Sequence, residues 1–192
     1  VGVFALVGSS TMKEERYADN LRFFRTSEKV FESSEPIYYP DDEVTLRLIS
    51  YYPYQEEGVN MGESTMSVAV ETDQNLSAGY FCSDFLVASQ NLQSAPKGAI
   101  ALHYDHKFFK LKIALVGKEG EELQGILDAD PKLSVCGFYT KAIYDFQKET
   151  YSAFSNEKSI TPAGKWEIQG DRLSGKEVIL IPQETTLGYQ YI

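Results

Sequence analysis

The sequence predicts an all-β protein built from two β-sandwiches, with few and short helices. Three observations carry this expectation. Aromatic residues make up 13% of the chain, with 13 Tyr and 11 Phe, and such side chains suit a pleated, half-buried surface better than a helix face. The most strongly patterned segments alternate apolar and polar residues with a period of two. Turn residues interrupt them at short intervals, which favours sandwiches over alternating strand–helix units.

The opening Val1-Gly-Val-Phe-Ala-Leu-Val7 alternates well enough for a strand. It has signal-peptide hydrophobicity but no initiator Met, basic n-region or A-x-A exit, so an upstream segment is expected to have been removed. Residues 12–24 are a helix candidate. In residues 44–52, Val44, Leu46 and Leu48 share one face and Thr45 and Arg47 the other, until Pro53 ends the strand. Residues 65–71 set Met66, Val68 and Val70 against Ser67, Ala69 and Glu71. Asp41-Asp42 and Glu56-Glu57-Gly58 read as turns. Residues 83–88 read as one helical turn capped by Ser83.

The longest run spans residues 99–116. Ile100, Leu102, Tyr104 and Phe108 share one parity, whereas Phe109, Leu111, Ile113 and Leu115 share the other. Such a flip predicts a bulge, or a strand that leaves one sheet and enters another. A domain boundary is placed just after it, dividing the chain into 1–117 and 118–192. The second part is expected to hold strands at residues 132–138, around Trp166, and at residues 178–181 before Pro182.

The formal net charge is −10 and the pI near 4.7. Nucleic-acid binding needs a basic stripe that releases phosphate counterions, and none is present. The same charge repels an anionic membrane surface, and no apolar stretch approaches the ~18 residues of a membrane span. The two cysteines, Cys82 and Cys136, are too few for a disulfide framework and form no CxxC; both a single bridge and two free thiols remain open.

Catalytic and cofactor motifs fail on inspection. Gly170-Asp-Arg-Leu-Ser-Gly-Lys176 nearly spells a phosphate loop, but Glu177 replaces the Ser/Thr and a strand, not a helix, follows. It reads as a turn between strands. His103 and His106 have opposite strand parity and cannot converge on one ion. No G-x-S-x-G elbow exists, and the many carboxylates read as an acidic surface. Asn75-Leu-Ser77 matches a glycosylation sequon. The expectation is no enzyme, no metal and no cofactor.

Several segments, in order, resemble the fimbrillin-like (Mfa-like) pilin family of Gram-negative anaerobes. They are the Val1-Gly-Val-Phe-Ala5 opening, Ile37-Tyr-Tyr-Pro40, the strand end Tyr51-Tyr52-Pro53-Tyr54, Ser83-Asp84-Phe-Leu-Val-Ala88, and Tyr104-Asp-His106-Lys-Phe-Phe-Lys110-Leu111. Ile181-Pro182-Gln183 resembles a signature of the second domain. The resemblance implies two transthyretin/Ig-like sandwiches, export as an outer-membrane lipoprotein, proteolytic maturation, and polymerisation with other pilin subunits by strand addition. The motif residues are expected to be structural, with His106 satisfying a local hydrogen bond. Against the family pattern, no lipidated Cys precedes the opening strand and the second domain stops early, so an unpaired edge or groove is expected.

Two functions compete at this stage. The first is a structural or accessory subunit of a surface fimbria that mediates adhesion. The second is a non-polymerising surface lipoprotein module binding carbohydrate or host protein, with Tyr38, Tyr39, Tyr51 and Tyr54 stacking on sugars rather than filling a core.

Overall fold

The structure, a computed structural model, describes residues 1–28, 30–40, 44–186 and 191–192. It is all-β, with several antiparallel sheets and, among the described residues, two short helices. The turn expected at Asp41-Asp42 lies outside the described residues. Two compact units emerge, each drawn from three stretches of chain. The first comprises Val1–Ser67, Phe85–Lys107 and Ile143–Ser152; the second comprises Val68–Asp84, Phe108–Ala142 and Ala153–Ile192.

The first unit is organised by an antiparallel sheet of five strands: β1 (Gly2–Val7), β2 (Ala18–Arg22), β5 (Leu46–Tyr52), β7 (Leu86–Leu92) and β8 (Asp105–His106), in the order β2-β1-β5-β7-β8. A separate hairpin joins β3 (Phe24–Ser27) to β4 (Val30–Glu32). Strand β1 is apolar throughout because both of its faces are covered, and Val3 to Leu6 are all buried. Its register with β5 pairs Val3 with Ser50, Phe4 with Ile49, Ala5 with Leu48 and Gly2 with Tyr51. Alternate pairs therefore serve opposite faces of the sheet.

One face carries Tyr51, Phe4 and Ile49 into an aromatic core. The Phe4 and Tyr51 rings stack at 5.7 Å, and Phe146 meets Tyr51 edge-on at 5.9 Å. Phe85 and Tyr144 complete the cluster at 5.1 Å, nearly perpendicular. Tyr51 lies across Gly2, where any Cβ would sit 2.3 Å from the ring. The glycine of the opening motif is thus a packing requirement.

Residues 12–24 form no helix. A turn leads into β2, and the segment is pinned by the buried Arg16 guanidinium. That group donates to the carbonyls of Met12, Val59, Asn60 and Glu63, pairs with Asp19 at 2.6 Å, and covers the Phe4 ring at 5.2 Å. Five acceptors around one cation outweigh a modest helix propensity.

The second unit holds an antiparallel sheet of β9 (Phe109–Val116), β12 (Glu167–Gln169) and β13 (Arg172–Leu180), in the order β12-β13-β9. Residues 99–116 do change sheets: β8 pairs with β7, whereas β9 pairs with β13. The near phosphate loop is the turn between β12 and β13, with Gly170 at φ +66°. Helices α1 (Ser77–Cys82) and α2 (Leu123–Asp128) are both short. The helical turn expected at residues 83–88 is corrected. Ser83 follows the last helical residue of α1, and the residues after it enter β7. Residues 132–138 form no strand beyond an isolated bridge from Val135 to Ile160.

Strands β6 (Thr65–Ala69), β10 (Tyr139–Asp145) and β11 (Thr150–Glu157) form a further sheet in the order β11-β10-β6. In the second unit, two glutamines substitute for missing backbone partners. The fully buried Gln74 carboxamide accepts from the Ile179 N–H and donates to its carbonyl, both at 2.8 Å. Gln183 does the same for Tyr139, at 2.9 and 3.1 Å. Each satisfies both polar groups of one strand residue, as a neighbouring strand would.

Gly2→Ala should lower the unfolding free energy by about 1–3 kcal/mol, because the inserted methyl overpacks the Tyr51 ring. A urea midpoint equal to that of the wild type would contradict it. Gln74→Glu keeps the acceptor but removes the donor and buries a charge, so a loss above about 2 kcal/mol is expected; thermal unfolding of the full chain measures it.

Candidate functional site

The aromatic core covers only one face of the five-stranded sheet. On the other face, Ala5, Ala18, Leu46 and Leu48 form a buried cluster, with Val7, Leu21, Ile37, Tyr39 and Leu92 packed around it. Next to this cluster lies a groove of about 680 Å³. Its floor is the alternate side chains Val3, Leu46, Leu48 and Leu92 of β1, β5 and β7. Its walls are residues 35–39 and 99–104, which belong to no strand.

A tyrosine tethers each wall. The Tyr39 hydroxyl donates to the carbonyls of Val44 and Leu92, at 2.5 and 3.1 Å. The Tyr104 hydroxyl shares a 2.6 Å hydrogen bond with Ser50, which also donates to the Gly2 carbonyl at 3.0 Å. Ser50 is fully buried, a polar residue on the same face of β5 as Leu46 and Leu48. Burial pushes the pKa of Tyr104 above the usual phenol value, while the Ser50 contact opposes the shift. At the mouth, Val30 and Phe31 of the β3–β4 hairpin are exposed.

The motif residues separate by role. Tyr51 is fully buried, and its hydroxyl donates to Asn20 at 2.6 Å and to the Gln55 carbonyl at 3.1 Å. Burial pushes its pKa up to about 12, opposed by those hydrogen bonds. Tyr52, Pro53 and Tyr54 are half-buried at the end of β5, with the Arg22 guanidinium 5.1 Å over the Tyr54 ring. Tyr39 anchors a groove wall, whereas Tyr38 is 73% exposed. The four tyrosines considered as one sugar platform therefore occupy four separate environments.

Ser83 is buried in the second unit, where its hydroxyl accepts from the Glu71 N–H at 2.8 Å and donates to the Gly79 carbonyl at 2.7 Å. It closes the end of α1 rather than starting a helix. Asp84 beside it is half-buried. His106 is exposed on β8, opposite Leu86. Lys110 on β9 lies 3.7 Å from the Glu177 carboxylate, which also accepts from the Tyr80 hydroxyl. Pro182 is half-buried and follows the buried Ile181 just after β13. Cys82 is exposed, Cys136 is half-buried, and both are free. Sequence reasoning missed Ser50, Arg16 and Gln74, and the tether that Tyr104 makes to Ser50, because most of their partners lie far away along the chain.

Among the described residues, no group of three or more His, Cys, Asp or Glu side chains could hold a metal ion, and no helix is long and apolar enough to cross a membrane. The arrangement is that of an all-β protein with an open apolar groove. The profile of the fimbrillin-like family matches residues 1–192, and the chain belongs to that family, whose members are structural rather than catalytic. No curated protein matches the chain. Solved crystal structures with a similar fold include two from Bacteroides species. A candidate cell adhesion protein from Bacteroides uniformis aligns with a TM-score of 0.64 and 21% identity, over 97% of this chain and 69% of the other. A candidate cell adhesion protein from Bacteroides ovatus aligns with a TM-score of 0.61 and 14% identity, over 96% and 69%.

Tyr51 sets an expected alkaline limit. Its folded pKa of about 12 exceeds the ordinary phenol value of 10, so the stability it contributes is full below pH 10 and is lost as pH rises toward 12. Denaturant midpoints should fall across that window in the wild type and fall less steeply in Tyr51→Phe. Parallel slopes would rule out Tyr51 as the titrating group.

Proposed function

We propose that the chain is a structural or accessory subunit of a cell-surface fimbria. In this reading it assembles by receiving an extended segment of a neighbouring subunit in the groove of the first unit, and it serves adhesion. Family membership supports the fimbrial assignment, and the fold shared with candidate cell adhesion proteins supports the adhesive one. Export to the outer membrane as a lipoprotein, and two transthyretin/Ig-like sandwiches at residues 1–117 and 118–192, belong to the same reading.

The observation that carries the proposal is the groove itself. An apolar floor on three paired strands lies between two walls that belong to no strand. An added strand would place alternate side chains on the floor while its N–H and C=O groups met those of the walls. Burying the floor would then supply the hydrophobic term.

Immunogold electron microscopy of native surface material, with an antibody to this chain, tests assembly. Labelled filaments are expected, and diffuse surface labelling alone would favour the non-polymerising module. Leu102→Glu places a charge on a half-buried groove wall and should abolish incorporation into filaments while leaving the monomer folded. Normal incorporation of that variant would remove the groove from the mechanism.

A further inference from the structure

Strand β7 is seven residues long, yet β8 pairs only with its start, Leu86 with His106 and Val87 with Asp105. Residues 88–92 are laddered to β5 on one side alone. Among the described residues, their backbone meets two side chains outside that ladder. The Tyr39 hydroxyl donates to the Leu92 carbonyl at 3.1 Å, and the Gln90 carboxamide to the Asn91 carbonyl at 3.4 Å. Native sheets seldom leave such an edge open. Residues 93–104 join β7 to β8, a connection far longer than the usual hairpin loop of about 2–5 residues. None of their backbone groups has a hydrogen-bond partner among the described residues.

The register of β7 with β8, continued antiparallel, sets Ala88 opposite Tyr104, Gln90 opposite Leu102 and Leu92 opposite Ile100. Directly opposed residues share a face of the sheet. On its other side β7 sets Ala88 opposite Ser50, Gln90 opposite Leu48 and Leu92 opposite Leu46. Ile100, Leu102 and Tyr104 therefore fall on the groove face, as a continuation of its floor. Ala101 and His103 fall on the other face, opposite Asn91 and Ser89, and all four are exposed. A slip of one residue would reverse the two sets. Tyr104 already stands in its row. Its hydroxyl shares the 2.6 Å bond with Ser50, and the residue between them in that row is the small, buried Ala88.

We propose that residues 100–104 are a latent continuation of β8, which zips onto the free edge of β7 when a neighbouring subunit's segment fills the groove. This step rests on the assembly reading above and adds a conformational change to it. In the isolated chain, ordering residues 100–104 costs backbone entropy. An edge strand with an uncovered face recovers too little of that cost. The arriving segment covers Ile100, which is 36% exposed, and the half-buried Leu102. It also pairs with the outer edge of the new strand, so zipping and binding reinforce each other. The longer apolar edge thus exists only when a partner is there to cover it, which protects the isolated chain from unspecific edge pairing.

The test is disulfide trapping in a chain carrying Cys82→Ser and Cys136→Ser, which removes the two free thiols. Ser89→Cys with His103→Cys sets two thiols directly opposite in the continued register. Asn91→Cys with His103→Cys, offset by two residues, is the control. After mild oxidation and peptide mapping, the first pair should cross-link about tenfold or more in assembled fimbriae than in the isolated chain, and the control pair should not. Amide exchange of the unsubstituted chain is a second readout, in which residues 88–92 gain protection on assembly. Filaments that contain the chain without a rise in the first cross-link, or with an equal rise in both, would overturn the latent strand and leave the assembly reading standing. Protection of residues 88–92 without that cross-link would put the neighbour's segment on β7 itself, and would overturn it too. A chain that never enters filaments would remove the assembly reading and this step together.

Discussion

The first unit depends on the pairing of β1 with β5, two strands whose residues are needed on both faces at once. Val3, Ala5, Leu46 and Leu48 go to one side, and Phe4, Ile49 and Tyr51 to the other. A slip of one residue would exchange the two sets, placing Tyr51 and Phe4 in the groove and stripping the aromatic cluster. The pair Gly2–Tyr51 guards against this slip, because only glycine leaves room for the ring that crosses it. Groove and aromatic core are both consequences of that single register.

Polar groups finish what the apolar pattern begins. Ser50 at the groove floor, Arg16 in its cage of carbonyls, and the two glutamines that mimic strand neighbours each satisfy backbone or hydroxyl groups that would otherwise be buried alone. Their partners are distant: Gln74 and Ile179 are 105 residues apart, and Ser50 and Tyr104 are 54 apart. A network of this kind gives specificity of assembly rather than bulk stability, because a half-satisfied version is worse than none.

These distances explain what could be read from the sequence. Alternation at residues 44–52 and 65–71 marked β5 and β6, since one sheet face at a time decides those side chains. The parity change at Phe108 and Phe109 marked the departure from one sheet into another. By contrast, residues 132–138 alternate yet form no strand: the Val135 backbone bonds with Ile160, and the Cys136 N–H goes to Tyr191. The return of residues 143–152 to the first unit had no local signal. Tyr38 and Tyr39 are identical letters in one motif, and only the carbonyls of Val44 and Leu92 decide which turns inward. The groove itself, being a space between segments distant in sequence, has no sequence pattern of its own.

In the proposed assembly, backbone groups of the two groove walls pair with a neighbour's arriving segment. Amide hydrogen exchange over residues 35–39 and 99–104 addresses this directly, compared between the isolated chain and assembled fimbriae. Fast exchange in the isolated chain and strong protection on assembly, with β1 and β5 slow in both, is the predicted result. Walls that exchange equally in the two states would show that no strand enters the groove.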